Sequence, residues 1–103
     1  MIRIAVIYPD SPGATFDHAY YTSKHMPMVQ KLCGAACKSI AADRGVAGGE
    51  PGSKPANLAI GYLTFDSLEA FQKNFGPNAP QILGDIPNYT NIKPIVQISE
   101  VTL

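Results

Sequence analysis

NLAIGYLTFDSLEAFQKNF, residues 57 to 75, decides the fold. Asn57 to Phe65 carries apolar residues on both alternating faces, which predicts a strand covered on two sides. Asp66 then caps a helix, with Glu69 three residues on completing a capping box, and Leu68, Phe71 and Phe75 line one apolar stripe. A strand that runs straight into an amphipathic helix is half of a β-α-β unit.

Moving upstream, Arg44 to Ala56 holds four glycines and two prolines and predicts a long exposed connection or a hairpin tip. Its Gly48-Gly49 pair lacks the spacing of a phosphate loop and opens no helix. Ala35 to Asp43 reads as a strand of weak propensity, because alanine favours helix. Before it, apolar and aromatic residues recur with a helical period from Phe16 to Leu32, capped by Thr15 or Asp17 and ended by Gly34. Pro27 lies inside that helix, where it deletes the bond to the Ser23 carbonyl and predicts a kink or a break. Ile2 to Tyr8 is the first strand, closed by the turn formers Pro9 to Gly13; Ile2, Ile4, Val6 and Tyr8 share one face and Ala5 and Ile7 the other. Downstream, Gly76-Pro77 stops the second helix, Pro80 to Leu83 adds a helical turn, and Ile92 to Leu103 forms the last strand.

The order is β-α-β-β-α-β, the ferredoxin-like arrangement of the α+β class. Right-handed crossovers put both helices on one face of a four-stranded antiparallel sheet. The other face is apolar, and two such sheets packed together would bury it, so a homodimer of dimeric α+β barrel type is expected. Composition agrees. At 103 residues one domain spanning residues 1 to 103 is expected, and 16% charged residues is below the roughly 25% usual for such domains. A covered surface explains the shortfall.

Net charge is zero with no basic run, so nucleic acid is not an expected partner. No apolar stretch approaches the ~20 residues that span a bilayer, and the N-terminus reads as a strand rather than a signal peptide; no membrane association and a cytoplasmic location are expected. Cys33 and Cys37 have neither redox nor zinc spacing and read as reduced packing thiols.

Reactive side chains concentrate in Phe16 to Met28, FDHAYYTSKHMPM. On a wheel of ~100° per residue, Tyr21, His25, Met28 and Leu32 fall on one arc that faces the sheet, with Asp17 and His18 beside it. Tyr20 lies at the boundary. Tyr21 and His25 are neighbours at i, i+4, and an imidazole exchanges protons near neutral pH. A bend at Pro27 would aim His25 out of the regular groove and open a cleft between helix and sheet, the kind of place where small molecules bind. His25 and Tyr21 are therefore the candidate catalytic residues, and Tyr20 and Tyr89 the candidate substrate-binding residues at its edge. Two histidines at i, i+7 without a third ligand make a poor metal site, and neither metal nor cofactor is expected. Against this stands the plain alternative that inward-facing Tyr and His are core residues with satisfied polar tips.

Phe16-Asp17, Tyr20-Tyr21, His25 and Pro27 resemble the FDxYYxxxHxP signature of the EthD family, named for ethyl tert-butyl ether degradation, here with His18-Ala19 between Asp17 and the tyrosine pair. The tail GDIPNYTNIKPIVQISEV, Gly84 to Val101, is similar to the end of many bacterial members. The resemblance spans nearly the whole chain and implies a dimeric α+β barrel. That superfamily includes cofactor-independent monooxygenases, haem-degrading enzymes, lactone isomerases and polyketide cyclases, so the resemblance implies no one reaction. Its haem-binding members carry a histidine on the later helix, and Leu68 to Phe75 has none.

Three readings follow. The first is an enzyme acting on an apolar or aromatic small molecule, with His25 as acid or base in enolisation, dehydration or oxygen addition. The second is a non-catalytic protein that holds such a molecule for an oxygenase system. The third makes Tyr21 and His25 structural ties between helix and sheet.

Overall fold

β1 (Ile2–Pro9), β2 (Cys37–Arg44), β3 (Asn57–Phe65) and β4 (Ile95–Glu100) pair antiparallel in the order β2-β3-β1-β4. This is a computed structural model describing all residues from Met1 to Leu103. The predicted β-α-β-β-α-β order is the one observed, and the register places Ile4 opposite Leu63, Val6 opposite Gly61 and Tyr8 opposite Ala59. Ile4, Tyr8, Ala59 and Leu63 are buried beneath the helices. Ala5, Ile7, Ile60 and Tyr62 alternate with them on the open face, where they are half-buried.

The helical layer starts with α1 (His18–Tyr20), continues as a π turn (Tyr21–His25) and ends as α2 (Met26–Cys33). Asp17 is the cap: its carboxylate accepts from the Tyr20 N–H at 3.0 Å. The predicted disturbance at Pro27 is neither a simple kink nor a break. The proline ring would crowd the carbonyl one turn back, and the preceding turn is widened so that the Met26 N–H reaches the Tyr21 carbonyl, five residues away. Thr22 and Ser23 donate their hydroxyls to the His18 and Ala19 carbonyls at 2.9 and 2.6 Å where the ladder changes pitch. Gly34 closes the run with a positive φ of 65°.

α3 (Leu68–Phe75) is capped by Ser67 and not by Asp66. The Ser67 backbone is extended and its hydroxyl accepts from the Ala70 N–H at 3.0 Å, while Asp66 sits on the surface 3.5 Å from Lys38. After a 3-10 turn at Gly76–Asn78 comes α4 (Ala79–Gly84), then a second 3-10 turn at Ile86–Asn88. β4 starts three residues later than Ile92 because Pro94 has no N–H to give the ladder.

Cys33 and Cys37 are free and buried, and burial raises the Cys33 thiol to about 11. Thiols held protonated in this way pack as small apolar groups. No helix is long and apolar enough to cross a membrane.

Candidate functional site

The helical layer leaves a cavity of about 250 Å3 between itself and the sheet. Ile4, Val6 and Leu63 form its floor, and Val29, Phe75 and Ile82 are among the helical residues over it. Leu83 and Val96, 54% and 55% exposed, stand at its rim, so the cavity opens beside β4. One end is polar and is made by Tyr8, Tyr21 and His25. The π turn delivers two of these three: Tyr21 and His25 are buried with their rings stacked, centroids 5.4 Å apart and 14° from parallel. Tyr21 lies directly over Gly61, which has no room for a Cβ beneath the phenol.

Behind His25 runs a continuous hydrogen-bonded row. His25 Nδ1 is 2.9 Å from Asp85 Oδ2. The Tyr20 hydroxyl donates to Asp85 Oδ1 at 2.7 Å, and the Asn88 amide donates to the same oxygen at 2.9 Å. On the other side His25 Nε2 is 3.4 Å from the Tyr89 hydroxyl, which is 2.6 Å from the Tyr8 hydroxyl. The segment carrying Asp85, Asn88 and Tyr89 is tied to the start of the helical layer, since the Asp17 N–H donates to the Tyr89 carbonyl at 2.7 Å and Thr90 Oγ1 to the Thr15 carbonyl at 2.6 Å. These bonds hold Asp85 against His25.

Burial pushes the His25 pKa down, and the bond and charge of Asp85 offset only part of that. The imidazole is therefore neutral near neutral pH. Nδ1–H then donates to Asp85, Nε2 keeps its lone pair, and Tyr8 to Tyr89 to Nε2 is a consistent donor order. Asp85 is pushed up by burial but held below the usual carboxylate range by its bonds from Asn88, His25 and Tyr20, which outweigh it. Burial keeps Tyr8, Tyr21 and Tyr89 protonated far above their ordinary value. A neutral base oriented by a carboxylate, beside protonated phenols at the end of an apolar cavity, is equipped to accept and return a proton.

Of the four candidates from sequence, Tyr21 and His25 line the cavity together. Tyr20 and Tyr89 do not line it: Tyr20 bonds Asp85 and Tyr89 lies 3.4 Å from His25, so each contacts one member of the His25–Asp85 pair. Asp17 caps α1, and the His18 ring lies tilted against Phe16 with centroids 4.7 Å apart. Three participants were not singled out from sequence. Tyr8 reads as a packing residue on a strand, and Asp85 and Asn88 as turn formers between Gly84 and Tyr89. The one available signal was an acid in that turn, within the tail already noted as family-like. No three His, Cys, Asp or Glu side chains converge as metal ligands.

The family model of the EthD domain matches residues 13–92. An uncharacterised 11.0 kDa protein from the thcB–thcC intergenic region of Rhodococcus erythropolis is 32% identical over 94 residues, covering 88% of this chain and 85% of its own. A crystal structure of an EthD-like protein from Ralstonia eutropha JMP134 is 45% identical with a TM-score of 0.94, over 99% of this chain and 92% of that one. An EthD family protein from Bacillus halodurans C-125 superposes with a TM-score of 0.67 over 99% of each chain, and at 14% identity it shares the fold alone.

Proposed function

This chain belongs to the EthD family, and on that premise we propose that its helix-sheet cavity binds a small apolar or aromatic molecule and that His25 exchanges a proton with it. One observation carries the reading: His25, at the polar end of the cavity, has Nδ1 on a carboxylate at 2.9 Å and its other nitrogen on a hydroxyl at 3.4 Å. The shorter Tyr8–Tyr89 contact lets the Tyr89 hydroxyl turn to Tyr8 and release Nε2 to a ligand. Asp85 then stabilises the imidazolium that forms, and the Tyr21 phenol is a donor for the ligand's oxygen. Asp85, Tyr20 and Tyr89 are positioning residues in this scheme. The test is His25→Gln, assayed for turnover and by calorimetry against phenolic and lactone compounds. Turnover should fall while binding persists; unchanged turnover removes the catalytic role.

A second reading, a carrier that holds an apolar metabolite for an oxygenase system, draws on the fact that both His25 nitrogens and the Tyr8 and Tyr89 hydroxyls already have partners in the protein. NMR titration separates the two. Ligand binding that shifts the His25 pKa favours the enzyme, and an indifferent His25 favours the carrier. In either case the open face of Ala5, Ile7, Ile60 and Tyr62 is the surface for a second copy, and Ile7→Glu should turn a sedimenting dimer into a monomer. A wild type that sediments as a monomer removes that surface from the reading.

A further inference from the structure

We propose that this cavity selects uncharged ligands: a ring system carrying one hydroxyl or carbonyl group enters, and the matching carboxylate is rejected. The inference rests on the cavity being the ligand site, as proposed above, and adds the charge class of what it takes.

No Lys, Arg, Asp or Glu lines the cavity, and apart from His25 and the tips of Tyr8 and Tyr21 every lining group is apolar. A carboxylate placed there would lose its hydration and meet no cation. The charge nearest the polar end is negative: Asp85 stands one imidazole away from the cavity, its side chain only 16% exposed, so water screens its field poorly. Burial keeps the imidazole between them neutral, which removes the one group able to balance an anion. Donors are few as well: the neutral phenol of Tyr21 and, once Tyr89 turns its hydroxyl to Tyr8, that of Tyr8.

A hydroxyl or carbonyl fits the same end without these costs. It can accept from Tyr21, and a hydroxyl can donate to Nε2. If His25 then takes a proton, the ligand anion forms opposite an imidazolium and the net charge of the complex does not change. A cavity of about 250 Å3 lies below the roughly 300–1,000 Å3 of drug-sized sites, which points to one or two fused rings.

The test compares 2-naphthol, 2-naphthaldehyde and 2-naphthoate, one ring system in two charge states, by calorimetry and His25 NMR shifts at neutral pH. The alcohol and aldehyde should bind the wild-type chain at least about tenfold more tightly than the acid anion, and Asp85→Asn should narrow that gap. Naphthoate binding as tightly as naphthol overturns the inference while leaving the cavity a ligand site. If none of the three binds by calorimetry or perturbs His25, the ligand-site reading falls and this inference with it. A gap unchanged in Asp85→Asn removes Asp85 from the inference. The wild-type comparison decides the charge class by itself should that variant not fold.

Discussion

His25 and Asp85, 60 residues apart in the chain, meet at 2.9 Å across the boundary between the helical layer and the turn before β4. Two forces act on the imidazole there, and burial wins over the carboxylate. Removing the carboxylate leaves burial unopposed. In Asp85→Asn the His25 pKa, followed by NMR of the ring protons, should therefore fall below its wild-type value. A pKa that stays put would show that the two groups are not coupled.

The same pair sets how stability depends on pH. His25 and Asp85 both have folded-state pKa values below their ordinary ones, so in each case the unfolded chain binds protons first as pH falls. Stability is fully present above the unfolded values and is lost in two windows. The first starts near the ordinary imidazole value of about 6.5 and the second near the ordinary Asp value of about 3.9. His18, whose pKa is also lowered, mainly by burial, adds to the first window. Melting temperatures should decline as pH falls through the first window, and less steeply in His25→Gln. A wild type and variant with parallel profiles would exclude His25 as a source.

β3 was legible end to end because its apolar residues are contiguous and its partners lie on both sides. Tyr21 and His25 were legible because a helical period brings i and i+4 together, and even a π turn leaves them stacked. Asp85 was not, since its partner is distant in the chain and an acid after Gly84 has the same local pattern as any turn. The π turn was half-legible. Pro27 predicts a disturbance, but whether the helix bends, breaks or widens depends on what it packs against, and here the Thr22 and Ser23 hydroxyls add bonds to the His18 and Ala19 carbonyls beside the widened turn.

The cap of α3 gives a test of local reading against geometry. Asp66 and Ser67 are both good caps by type, and only backbone direction separates them: Ser67 is extended with its hydroxyl on the Ala70 N–H. Ser67→Ala should cost about 1 kcal/mol, read as a lower urea midpoint at constant slope. Asp66→Ala, which removes only an exposed contact to Lys38, should stay within about 0.5 kcal/mol. Equal losses in the two variants would mean the cap is shared.

Gly61 faces the Tyr21 phenol across the inner surface of the sheet, and a Cβ built there overlaps the hydroxyl and comes within 3.1 Å of Cζ. Tyr21 can give way only toward the cavity, because its ring is flanked elsewhere by Phe16, His25 and Tyr89 with centroids 5.0 to 5.4 Å off. Backbone strain plays no part, since Gly61 does not use a positive φ. Gly61→Ala should therefore destabilise by overpacking, about 1–3 kcal/mol. It should also displace Tyr21 toward the cavity that both residues line, weakening ligand binding. Tyr21→Phe removes the oxygen that clashes first. In a double-mutant cycle the pair should lose less than the sum of the single variants, with the residual cost set by the ring carbon. Strict additivity would mean that Gly61 answers to some neighbour other than Tyr21, and that the polar end of the cavity is not held in place from the sheet.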